Sequence, residues 1–201
     1  MIMEDQITPD DLTFEQKVIL TASDIISNYR MNRKIDKLKF EKLLFLVTKE
    51  HPKKLEYMNG TFDPYAMGAY SEYIDDQLDS LSNLGLIENF KTVTPKGSKF
   101  TTEELKRDKT IAMLREDFME LVEVFGTMPN KDLLYIVYNL YPEYSKNSKI
   151  KHRAVSESFE TFVIPMPEES IGGQKTLEIK SDKGNKIMVI YKNGTIEIRE
   201  D

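Results

Sequence analysis

Two glycines bracket the stretch that most constrains the fold, FDPYAMGAYSEYIDDQLDSLSNLGLI over 62–87. Gly68, inside Ala66-Met67-Gly68-Ala69-Tyr70, supplies a turn with backbone freedom that a Cβ would forbid. Ser71 is a good N-cap, and Glu72, Asp75 and Asp76 set negative charge over the positive end of the helix it opens. Ile74, Leu78 and Leu81 recur at four- and three-residue spacing and predict one inward stripe. Gly85 suits the left-handed position just past a helix, and Leu86-Ile87 starts a new apolar run. Helix, glycine, short strand and then Thr94-Pro95-Lys96-Gly97 is the order of the third helix and wing of a winged-helix module.

The flanking segments extend that pattern. Thr13-Phe14-Glu15-Gln16 is a capping box opening a helix over 14–30, with Val18, Ala22, Ile25 and Tyr29 on one side. Asp36 caps a second helix with the stripe Phe40, Leu43, Leu44 and Val47, and His51-Pro52 ends it. Residues 53–61 read as a connector closing on the turn dipeptide Asn59-Gly60. The segment 86–100 should fold back as a ribbon anchored by Ile87, Phe90 and Val93, turning near Pro95 and Gly97. Thr101 to Glu104 resembles another capping box, predicting one long helix over 102–125 with Ile111, Leu114, Phe118, Leu121, Val122 and Phe125 inward. Asn130 is expected to cap a fifth helix through Leu133, Leu134, Val137 and Leu140.

Beyond a polar segment over 143–158 the period switches to alternation. Thr161-Phe162-Val163-Ile164 is strand-like, and three further strands are predicted around Leu177 and Ile179, over 186–191, and around Ile196 and Ile198. Asp182-Lys183-Gly184-Asn185 and Asn193-Gly194 read as their turns. The fold class is therefore α+β: a mainly helical, winged-helix-like domain over 1–150, then a linker and small antiparallel β appendage over 151–201. So few strands are marginal alone, so one face should be covered by the helical domain or by a second copy of the chain.

Several chemistries find no residues to perform them. Cysteine is absent, removing thiolate catalysis, thiolate metal sites and disulfides together. His51 and His152 stand far apart with no metal motif around either, and both read as ordinary exposed histidines. No nucleophile elbow, P-loop or dinucleotide fingerprint occurs, and Gly172-Gly173 reads as a plain turn. Glu72, Asp75, Asp76 and Asp79 read as a solvated acidic face. Asp75 and Asp76 diverge by ~100°. Although Glu72 with Asp76 or Asp75 with Asp79 can converge, a cation site would need further oxygen ligands from elsewhere. A non-enzymatic protein without a cofactor follows. No run reaches the ~20 apolar residues of a membrane helix, and the acidic start lacks a signal-peptide core, so a cytoplasmic protein is expected.

Charge is unevenly spread. The net charge is −6, yet Arg30, Arg33, Lys34, Lys37, Lys39, Lys42, Lys49, Lys53 and Lys54 face only Asp36, Glu41 and Glu50 within 30–55. That segment alone could meet a phosphate backbone or an acidic protein surface. The tyrosines also cluster, with Tyr65, Tyr70 and Tyr73 around Gly68 and Tyr135, Tyr138, Tyr141 and Tyr144 around the fifth helix. Aromatics with a polar tip suit both interfaces and core rims.

Lys37-Leu38-Lys39-Phe40-Glu41-Lys42-Leu43-Leu44-Phe45-Leu46, the turn from Phe62 to Ser71, and Leu84-Gly85-Leu86-Ile87 together resemble the Panacea-domain antitoxins, the SocA-like group, and similar winged-helix-like proteins. The likeness spans residues 36–100, with Glu41 where the group commonly has Gln and Ala69 where it commonly has Pro. Lys39, Lys42, Phe62, Tyr65, Gly68, Tyr70 and Ser71 fall on its characteristic positions. The resemblance implies a regulatory protein that works by binding another protein, such as a toxin, or DNA. For a protein partner, the expected contacts are Glu72, Asp75, Asp76, Asp79, Tyr65, Tyr70 and Tyr73, with the acidic helix and basic segment as complementary steering surfaces. For DNA, they are Arg30, Arg33, Lys34, Lys37, Lys39 and Lys42, with Lys91, Lys96 and Lys99 on the wing. Four carboxylates on the helix before the wing would repel phosphate, which favours the protein partner.

Overall fold

The computed structural model describes residues 8–148 and the strand segments 162–163, 175–181, 184–190 and 195–200. The chain is mainly helical with small antiparallel sheets, an α+β architecture. Its elements are α1 (Phe14–Asn28), α2 (Lys37–Glu50), α3 (Glu56–Gly60), β1 (Asp63–Tyr65), β2 (Gly68–Tyr70), α4 (Glu72–Asn83), β3 (Ile87–Asn89), β4 (Thr92–Val93), α5 (Pro95–Arg107), α6 (Lys109–Phe125) and α7 (Asn130–Leu140). Among the described residues no helix is long and apolar enough to cross a membrane.

Helix α2 is the axis of the molecule. Every residue from 39 to 48 is buried, and α6, α7, α3 and β2 pack around it. Its aromatic residues organise the layers: Phe45 lies edge-on to Phe62, Tyr141 and Tyr144 at 4.7–5.2 Å, and Phe40 meets Phe90 and Phe118. Tyr138, Tyr141 and Tyr144 are thus core residues. A helix buried on all sides is normally apolar all round. This one carries Lys39, Glu41 and Lys42 inside.

The helix starts at Thr13, Asp36 and Ser71 are as expected. Thr13 and Gln16 cap each other reciprocally, Asp36 accepts from the Lys39 amide at 2.9 Å, and Ser71 accepts from the Ile74 amide. Gly68 and Gly85 take φ of +86° and +68°, where a side chain would be strained. At Gly68 a Cβ would also crowd Tyr138 and Leu134, so the β1–β2 hairpin lies directly on α7. Asn59-Gly60 is the last turn of α3, where a plain connector was expected.

The largest correction concerns 94–108. Thr94-Pro95 starts helix α5, whereas the sequence suggested the tip of a ribbon. Thr94 Oγ1 accepts from the Gly97 amide at 3.1 Å, and proline at the first helical position gives up only an N–H that would have no helical partner. Gly97 is required for close approach rather than for a turn: a Cβ there would stand 2.1 Å from the Leu86 carbonyl oxygen. Thr101 lies within α5, its hydroxyl turned back to the Ser98 carbonyl. The predicted single helix over 102–125 is broken at Asp108, whose extended backbone ends α5 while its carboxylate caps α6 through the Thr110 and Ile111 amides. The inward residues predicted on that helix are all buried. Pro129, not Asn130, occupies the cap position of α7, and the Asn130 side chain donates to Asp36 instead.

The C-terminal strands β5 (Phe162–Val163), β6 (Lys175–Ser181), β7 (Gly184–Ile190) and β8 (Thr195–Glu200) form one antiparallel sheet in the order β5-β8-β7-β6. The three predicted strands are present, and the strand-like Phe162-Val163 pairs with β8. Gly184 already pairs with Ser181, so Gly184 and Asn185 belong to the ladder rather than to a turn. Strand β6 runs beside α2. Most of the predicted polar linker, His152, Gly172-Gly173 and the Asn193-Gly194 turn lie outside the described residues.

Candidate functional site

The basic segment does not form one outward face. Lys39 and Lys42 are only 3% and 1% exposed, contrary to the expectation that they could reach a phosphate backbone. The Lys39 ammonium donates to the carbonyls of Lys34 and Gly126 at 3.0 Å each, fastening the turn before α2 to the end of α6. The Lys42 ammonium donates to the Ala69 carbonyl and lies 3.8 Å from Glu41 Oε2, fastening the β1–β2 hairpin to α2. Both are structural ties. Lys37 is half-exposed, but it forms an ion pair with Asp75 Oδ2 at 2.8 Å. The supposed complementary surfaces therefore meet each other at that point. Lys96 rides on α5 and donates to the Leu84 carbonyl, Lys99 is exposed on the same helix, and Lys91 alone of the three sits at the β3–β4 hairpin tip. Arg30, Arg33 and Lys34 are exposed around the turn between α1 and α2.

His51 is not an ordinary exposed histidine. Its Nε2 lies 2.7 Å from Asp117 Oδ2, joining the end of α2 to α6. Lys49 donates to the Tyr144 hydroxyl at 3.1 Å and lies 5.0 Å from that ring's centroid, so it too serves packing.

Helix α4 presents the other sign. Ile74, Leu78 and Leu81 are buried, which turns Glu72, Asp76 and Asp79 outward as an exposed stripe. Asp75 sits on one shoulder of that stripe, where Tyr70 and Lys37 both donate to it. Tyr73 sits on the opposite shoulder. Each shoulder carries a pair of rings: Tyr65 lies 5.3 Å from Tyr70, and Tyr57 lies 4.9 Å from Tyr73. The outer rings Tyr57 and Tyr65 are 61% and 60% exposed, and Met67 in the hairpin loop is 40% exposed. Tyr57 and Met67 escaped the sequence reading. Met67 does follow from the Gly68 turn, since a two-residue loop must project its side chains, whereas Tyr57 becomes visible only once α3 is seen to pack near α4.

Beneath this surface lies a pair of charges whose protonation is displaced toward neutrality. Burial pushes the Glu41 carboxyl up to about 7, against the pull of Lys42. Burial likewise brings the Lys42 ammonium down to about 8, against the pull of Glu41. Tyr70 is pushed up to about 12, first by burial and then by its hydrogen bond and proximity to Asp75. None of these groups is arranged as a nucleophile with a base.

No family model matches the chain, and no curated protein is significantly similar to it.

Proposed function

We propose that the chain is a non-enzymatic regulatory protein whose winged-helix-like domain grips another protein, in the manner of an antitoxin or adaptor. The succession α1, α2, α4 and the β3–β4 hairpin supports the winged-helix reading, and the resemblance to Panacea-domain antitoxins supports the regulatory one. One observation carries the choice of partner. The helix before the hairpin exposes Glu72, Asp76 and Asp79, and the one cation paired with this helix, among the ion pairs of the described residues, is Lys37 at Asp75. Phosphates approaching this face would meet repulsion where counterion release must drive binding. The burial of Lys39 and Lys42 also weakens the alternative of a DNA-binding regulator, which keeps Arg30, Arg33, Lys34, Lys91, Lys96 and Lys99.

The test is affinity capture by the full chain from its source cell, beside a Glu72→Lys, Asp76→Lys, Asp79→Lys variant. A stoichiometric protein lost with the variant supports the reading. Nucleic acid as the main captured species, retained or enriched by the variant, overturns it.

A further inference from the structure

The two ring pairs on α4 say more about the partner than that it is a protein. Single exposed tyrosines are ordinary on a protein surface. Here each exposed ring is braced by a second: Tyr65 by Tyr70, whose hydroxyl is held by Asp75 at 3.0 Å, and Tyr57 by Tyr73 across an interplanar angle of 74°. Rings held this way lose little freedom when something stacks on them. Between the two pairs runs the stripe Glu72, Asp76, Asp79, spaced so that successive carboxylates lie one helical turn apart on one face. The surface thus alternates π-face and carboxylate. Among the ion pairs of the described residues, the cation paired with this helix is Lys37, engaged with Asp75 on the shoulder.

We infer that the Tyr65–Tyr70 and Tyr57–Tyr73 pairs, with Glu72, Asp76 and Asp79 between them, form a docking surface for an arginine-rich segment of a partner protein. Charge complementarity selects a cationic occupant, and the rings select arginine over lysine. A guanidinium is planar, stacks on an aromatic face and forks onto a carboxylate, while a hydrated ammonium does neither so well. This inference rests on the protein-binding reading above and narrows it to one chemistry.

The experiment uses the full chain and a short synthetic peptide alternating arginine with glycine, beside its lysine counterpart. The chain has ten tyrosines and no tryptophan, so titration calorimetry gives the affinity, and intrinsic tyrosine emission, to which the four surface rings contribute, is a second readout. The arginine peptide should bind at about physiological ionic strength, weaken as salt rises, and bind several-fold tighter than the lysine peptide. Tyr65→Ala and Asp76→Asn should each weaken binding by about three- to tenfold. Both positions are exposed, and an unchanged melting curve shows that the variants are folded. Absence of binding, equal affinity for the two peptides, or binding indifferent to both substitutions would overturn the inference. So would self-association of the chain that Asp76→Asn abolishes, because it would give the surface to a second copy. If capture still yields a partner lost with the triple α4 variant while the arginine peptide does not bind, only the arginine chemistry falls.

Discussion

Replacing Glu41 by glutamine, the residue common at this position in Panacea-like sequences, isolates the buried charge at the centre of α2. The carboxyl titrates near 4.5 when unfolded and about 7 when folded. Below 4.5 both states hold the proton. Between 4.5 and about 7 the unfolded chain has released it and the native chain has not, so native stability falls as pH rises, by ~1.4 kcal/mol per pH unit. Above about 7 both states are ionised and the loss is complete, at most about 3 kcal/mol. Glutamine removes this dependence. Its amide keeps a desolvation cost, and Lys42 loses the counter-charge that opposes its own downward shift, which together return ~1 kcal/mol or more. The variant should therefore gain about 1–2 kcal/mol on the native protein between pH 4.5 and about 8. Urea unfolding followed by circular dichroism across that range measures the difference directly. A difference that stays constant with pH would show that burial leaves the Glu41 carboxyl unshifted, and one that moves against the variant as pH rises would show that it is stabilised as a carboxylate; either outcome contradicts the raised value.

At pH 8, where Glu41 is ionised in the native protein, Lys42→Met should destabilise the chain by ~3 kcal/mol, because it leaves the Ala69 carbonyl unpaired and the buried Glu41 without its counter-charge. Urea titration gives the loss, and hydrogen exchange should show it concentrated at the β1–β2 hairpin. Gly97→Ala forces a Cβ against the Leu86 carbonyl and should cost about 3 kcal/mol or more, lowering the melting temperature or preventing soluble folding. Thr94→Ala removes the α5 cap and the hydroxyl's bonds to the Gly85 and Leu86 carbonyls, and should cost ~1–2 kcal/mol by the same unfolding assay.

Local chemistry was legible, and long-range chemistry was not. The caps at Thr13, Asp36 and Ser71 and the left-handed glycines at 68 and 85 depend on contacts within a few residues, so a pattern reading reaches them. The acidic stripe of α4 was readable for the same reason, since helical period alone turns Ile74, Leu78 and Leu81 away from it. The basic segment misled because charge counting assumes solvation. Lys39 and Lys42 are drawn inward by carbonyls 87 and 27 residues further along the chain. His51 likewise finds Asp117 across 66 residues. At 94–97 the residues of a turn and of a proline-led helix start coincide, and the close approach of Gly97 to Leu86 decides for the helix.

Protein binding by the outward face of α4, as proposed above, is open to direct observation. A photoreactive side chain placed at the exposed Asp79, in the full chain within its source cell, tests it most directly. Docking of a protein on α4 should give a discrete protein adduct whose yield falls when Tyr65 is changed to alanine. An adduct with DNA, or no adduct from α4 while a probe at Lys34 gives one, would contradict it.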